Sequence, residues 1–276
     1  MQQTTQNSKS GAHRSAKKTI SIGDYLSMGN RSASAKSESL LKKKNPPQKE
    51  LSLNEVEELS RIKAEAKRAY RRKDFVQALA RFDDALAILP GDLEFSYYQA
   101  LCLFQLHQWD KAEELFERIA ELDELRLLPD VRKMLALTLL KRRKFIEAEN
   151  VLIEATRDRK NDAQLMNMLG YALERQNKLI EAERVLGNLM DKDPENVNGM
   201  NSLAMVYCRL EKNYTEALQL VKRALAKEPR NAYYLDTLGM LYATRGNRTA
   251  AKKTLQKALE YAPGHPEIVS HLSRVS

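Results

Sequence analysis

Asn167 and Asn201 stand 34 residues apart, and Lys141, Arg175 and Arg209 keep the same interval. A side-chain amide carries both a hydrogen-bond donor and an acceptor, so two in register could hold the backbone of an extended peptide. A row of ammonium and guanidinium groups, which Arg71 extends toward the N-terminus, suits carboxylates along an acidic ligand. This is recognition chemistry, and the sequence offers no comparable set for breaking bonds. His13, His107, His265 and His271 are the only histidines, and His265 and His271 are six apart around Pro266, which is not a ligand spacing on a helix. Cys102 and Cys208 are too few and too distant for a disulfide framework or a thiolate metal site. No nucleophile–base pairing or glycine-rich phosphate loop is present. The expectation is a non-enzyme with no cofactor, no metal and no catalytic residue.

The elements that must position such groups follow from a period. Ala78, Ala112, Ala148, Ala182, Ala217 and Ala251 recur at intervals of 34, 36, 34, 35 and 34 residues. A second small column, Ala66, Ala100, Ala136, Gly170, Ala204 and Gly239, precedes the first by 12 residues, and by 13 in the fifth unit. Helices approach closely only where side chains are small, so these columns mark helix–helix seams. Phe82, Phe116, Leu152, Leu186, Val221 and Leu255, each four residues beyond an alanine, fill the space between turns. The period predicts six stacked helical hairpins, at about 59–92, 93–128, 129–162, 163–196, 197–231 and 232–265. A short cap follows over 266–276.

Asn54, ahead of Glu55, Glu57 and Glu58, is the expected N-cap of the first helix. Pro90, Pro194, Pro229 and Pro263 close four units; Glu124 and Lys160 stand at the corresponding places, so those turns must be made otherwise. His107 is expected in an exposed turn and Trp109 in a packing column with Phe75, Phe145 and Tyr214. Acidic pairs such as Glu113-Glu114 read as solvated faces.

The net charge of +9 is uneven. Residues 1–50 hold ten Lys/Arg against three acids, a net +7, whereas 51–276 hold 36 against 34, a net +2. A Ser/Lys-rich segment with few apolar residues cannot offset its ordering entropy, so 1–50 reads as a disordered tail and 51–276 as the repeat domain. Within the tail, Ile20, Ile22, Tyr25, Leu26 and Met28 are enough for a docking peptide, although an inert apolar patch fits equally. A mitochondrial presequence is a third reading, weakened by the Gln/Thr-rich start. No stretch approaches the roughly 20 apolar residues of a membrane span, and none in the tail forms a signal-peptide core, so the cytoplasm is the expected compartment.

With these columns in register, the chain resembles the tetratricopeptide repeat. LDTLGMLYATRGNRTAAKKTLQKALEYAP at 235–263 fits its pattern almost throughout, and MNMLGYALERQNKLIEAERVLGNLMDKDP at 166–194 nearly as well. Glu65 and Gln99 depart from it where leucine is usual. The resemblance implies an all-α, right-handed superhelical solenoid whose first helices line a concave groove. It places Tyr97, Leu101, Phe104, Lys133, Leu137, Lys141, Asn167, Tyr171, Arg175, Asn201, Met205, Arg209, Asp236 and Met240 on that groove. An apolar groove of this kind exceeds what a soluble monomer usually exposes. The residues that grip a C-terminal carboxylate in the family's chaperone cofactors do not assemble here. The stretch 214–239 looks most like bacterial members, which points toward secretion, pilus or motility scaffolds. The expected function is an adaptor for a segment of a protein partner. The alternatives are a chaperone for an exported protein, nucleic-acid or anionic-surface binding through the tail, and self-inhibition by Ile20–Met28 in the groove. Nothing in the sequence assigns an oligomeric state.

Overall fold

The computed structural model describes residues 19–20, 51–122, 130–159 and 162–275. Apart from two short strands, β1 (Thr19–Ile20) and β2 (Leu51–Ser52), every regular element among them is a helix. The chain divides into two compact units, one ending at Leu106 and one starting at His107.

The first unit contains β1, β2, α1 (Leu53–Arg71), α2 (Phe75–Ile88) and α3 (Leu93–Gln105). The strands pair antiparallel, Thr19 with Ser52 and Ile20 with Leu51. Ile20 of the expected docking peptide therefore lies beside the entrance to α1; Ile22, Tyr25, Leu26 and Met28 lie outside the described residues. The first helix is capped by Ser52, not by Asn54 as expected. The Ser52 hydroxyl accepts from the Glu55 amide, and the Glu55 carboxylate accepts from the Ser52 amide at 2.8 Å. The two bonds are the reciprocal pair of a capping box, and they start the helix two residues earlier than an Asn54 cap, which would have Glu57 in the same role. The core of this unit gathers Leu51, Leu59, Ile62, Ala66, Ala78, Phe82, Phe95 and Cys102.

The second unit contains α4 (Trp109–Leu122), α5 (Val131–Lys141), α6 (Phe145–Asp158), α7 (Ala163–Arg175), α8 (Leu179–Lys192), α9 (Val197–Arg209), α10 (Tyr214–Lys227), α11 (Ala232–Thr244), α12 (Arg248–Tyr261) and α13 (Pro266–Val275). Each helix packs on the next. In addition α5, α7, α9, α11 and α13 pack in series, first helix on first helix, and so form one continuous wall. The seams are as the columns require. All six residues of the alanine column are fully buried, as are Phe116, Leu152, Leu186, Val221 and Leu255 in this unit. At Gly170 and Gly239 an added Cβ would stand 2.5 Å from Leu186 and 2.6 Å from Leu255, so even alanine would force the leucine side chain to shift.

The turn inside each hairpin carries a residue of positive φ: Lys73, His107, Arg143, Asn177, Glu211 and Gly246. The fifth holds a second, Asn213, and this absorbs the one extra residue of that unit. His107 is exposed there, as expected, and packs edge-on against half-buried Trp109 at 5.5 Å. Between hairpins, Leu89, Asp193, Glu228 and Ala262 end their helices in one extended backbone conformation ahead of the four prolines. Arg159 adopts the same conformation without a proline; Glu124 and Lys160 lie outside the described residues.

Glu113 departs from the expected solvated face. It is buried, and its carboxylate accepts from Arg142 at 2.7 Å and Lys144 at 2.6 Å in the next hairpin's turn. Glu149 with Lys178 and Glu183 with Lys212, both at 2.6 Å, repeat the contact one and two hairpins later. A carboxylate on the second helix thus staples each of these three hairpins to its successor, and pairing offsets the desolvation of the buried Glu113.

Candidate functional site

The inner faces of the first helices carry the residues that the period singled out. Asx caps hold several of these helices in position: Asp92, Asp162, Asn196 and Asn231 each accept from backbone amides in the following turn.

In the first unit this face is satisfied by its own side chains. Lys63 and Lys67 each donate to Glu94 at 2.8 Å. Lys67 also stands 4.9 Å over the Tyr98 ring, which stacks on Phe82 at 5.2 Å and meets Tyr70 edge-on at 5.9 Å. Burial alone would raise the Glu94 carboxyl, but the two ammonium groups outweigh it and hold the group below its ordinary value. Tyr97 and Phe104 are half-buried and Leu101 is buried. Cys102 is buried too, and burial pushes its thiol up to about 12.

In the second unit α5 contributes Lys133, which reaches back to Asp130 at 3.0 Å, half-buried Leu137 and exposed Lys141. On α7 and α9, Asn167 and Asn201 occupy equivalent positions. Each is half-exposed as a residue, yet each Oδ1 is buried and has no hydrogen-bond partner. Tyr171 is 38% exposed, the most open aromatic ring on this wall apart from Tyr233, and burial of its hydroxyl end raises the phenol above its ordinary value. Met205 and Met240 are half-buried. Cys208 is buried, with its thiol pushed up to about 11. Neither cysteine is a thiolate at neutral pH. Among the described residues no cluster of His, Cys, Asp or Glu is placed to hold a metal.

Beside Lys133, three further expected groove residues are already engaged. Arg209 donates to the Glu174 carboxylate, to the Glu174 carbonyl at 2.6 Å and to Asn177 at 3.0 Å. Arg175 pairs with Glu267 of α13 at 2.8 Å. Asp236 is buried and holds His271 of α13 at 2.8 and 3.0 Å, so it is not presented to a ligand. The row of cations is therefore not a free rail. Arg175 and Arg209 are each paired with an acid on another first helix, Glu267 and Glu174. Glu267 and His271 were missed because 266–276 was read only as a cap. In the structure this segment is α13, which packs on α11 as the next member of the series of first helices.

Tetratricopeptide repeat family models match residues 69–128, 133–186 and 209–275. No curated protein matches the chain by sequence. Among solved structures, pilF of Pseudomonas aeruginosa is 17% identical, with a TM-score of 0.61 over 80% of this chain and 99% of that one. A tetratricopeptide repeat protein from Parabacteroides merdae is 14% identical, with a TM-score of 0.62 over 92% and 93%. MamA from Desulfovibrio magneticus is 20% identical, with a TM-score of 0.57 over 62% and 95%. At these identities the likeness is one of fold.

Proposed function

The chain belongs to the tetratricopeptide repeat family, and from that premise we propose that it is a non-catalytic adaptor. It holds an extended or helical segment of a protein partner on the wall of α5, α7, α9 and α11. The observation that carries this reading is the pair of Asn167 and Asn201. A buried acceptor without a donor costs about 1–3 kcal/mol, so two at one repeat position are an arrangement that folding alone does not favour. A turn of each side-chain amide would bring its oxygen to the surface, where backbone amides of a bound segment would supply the missing donors, and Tyr171, Met205 and Met240 would supply apolar contact. The setting we favour is assembly of a bacterial secretion, pilus or motility system in the cytoplasm. The bacterial sequence character of 214–239 and the two free buried thiols support it.

Affinity capture with the full chain beside Asn167→Ala/Asn201→Ala/Tyr171→Ala tests the proposal. Partners lost from the variant alone identify ligand and surface together. Retention of every partner by a folded variant removes this wall from consideration.

A further inference from the structure

Arg175 and Arg143 converge on a single carboxylate. Glu267 Oε1 lies 2.8 Å from Arg175 and 4.0 Å from Arg143. The Arg175 guanidinium also stands 5.6 Å from the Phe145 ring and 6.0 Å from Tyr171, and Arg143 stands 6.0 Å from Phe145. The two rings meet edge-on at 6.2 Å. The result is a cleft with two cations backed by two aromatic rings and one acid between them. Of the other nearby carboxylates, Glu174 is held by Arg209. Arg143 is 67% exposed, and its one ion pair among the described residues is the long contact to Glu267, so the cleft retains positive charge.

Glu267 is attached to this cleft from three first helices away. Its neighbour Ile268 is fully buried against Ala232, Leu235, Leu255 and Ala258, which fixes α13 independently of the ion pair. The Glu267 side chain itself remains 34% exposed. Rotation of that one side chain opens the cleft without disturbing α13.

We propose that the cleft of Arg143, Phe145, Tyr171 and Arg175 accepts a carboxylate from an acidic segment of the partner, with Glu267 as its built-in competitor. This rests on the adaptor reading above and adds the chemistry of the ligand. Two guanidinium groups with fixed positions bind a carboxylate with directional, charge-assisted bonds. Glu267 lowers the affinity for weakly acidic segments and so sets a threshold, because a ligand must outcompete a group that is always present.

The test is the binding of a fluorescently labelled oligoglutamate peptide to the full chain, read by anisotropy at fixed salt. Glu267→Gln tightens binding by about three- to fivefold, the scale of one partly exposed ion pair. Arg175→Gln in the Glu267→Gln background abolishes the gain. Arg230→Gln, which removes the same charge from an exposed turn outside the cleft, has little effect and accounts for general attraction to a basic chain. The proposal is overturned if Glu267→Gln leaves affinity unchanged in a protein that melts like the wild type. It is equally overturned if Arg175→Gln costs no more than Arg230→Gln. The double variant Asn167→Ala/Asn201→Ala, which leaves Tyr171 in the cleft, separates the two ideas. Loss of the captured partner there with a silent Glu267→Gln removes only the carboxylate cleft. Retained capture with the expected Glu267 response removes only the asparagine contact.

Discussion

The inner faces of the two units use the same repeat positions to opposite ends. In the first, Lys63 and Lys67 share Glu94, and Tyr98 is enclosed by Phe82, Tyr70 and the Lys67 ammonium. In the second, Asn167 and Asn201 keep unpaired acceptors and Tyr171 stays open. Both faces are rich in aromatic and polar residues, so composition does not tell them apart. Whether each polar group has already found its partner does. A face that satisfies itself contributes to stability; one that leaves groups unsatisfied gives up stability, which the proposed ligand would restore.

The largest test of this contrast is Phe82→Ala. The ring is fully buried and stacked on Tyr98, so its loss should lower the opening free energy of the α1–α2 amides in hydrogen exchange by about 3–5 kcal/mol. Partner capture on the second unit should persist; its disappearance would break the division of roles. Next comes Gly239→Ala. Its methyl would enter the space of the Leu255 side chain, and the expected cost to the α11–α12 amides is about 1–3 kcal/mol. A neutral outcome would mean that this seam is looser than its geometry.

Asn201→Leu should act with the opposite sign. Removal of an unpartnered acceptor leaves stability unchanged or raises it by about 1 kcal/mol, while partner binding falls. A clear drop in melting temperature would show that the amide is structural after all. The smallest effect is expected at Glu94. Its folded carboxyl titrates below its ordinary 4.5, so the contribution is present above that value and is lost as pH falls through the depressed folded value. The pair is about one-third exposed, which limits the contribution to less than about 1 kcal/mol. Glu94→Gln should remove that acid-side slope from denaturation curves between pH 5 and pH 3, roughly the carboxylate range.

Much of the fold could be read from residues because close packing is strict. A seam admits alanine or glycine and nothing larger, and the filler four residues on must be apolar. Local capping was less legible: Ser52 and Asn54 are both good caps, each with a glutamate three residues on, and the local sequence does not choose between them. The site was less legible still. Asn167 and Asn201 were visible as a pair, but nothing in their spacing says that their acceptors go unpaired. The ion pair of Glu267 with Arg175 joins helices far apart in the chain and is set by how tightly the wall of first helices curves within this unit. Charge in a sequence can be counted, whereas its neutralisation depends on that curvature. For the same reason Asp236 looked like a groove residue until His271 was found upon it.

The longer turn between α9 and α10 has a consequence for how such a chain can be altered. The seams are kept in step by helical turns that pack, and Glu211 and Asn213 show that a residue can be added between them without moving either seam. The hairpin edge is therefore the natural place to graft a reporter. A short epitope or a fluorophore-bearing cysteine between Glu211 and Asn213 should leave the melting temperature within the scatter of the parent chain and still follow the proposed binding wall through the adjoining Arg209.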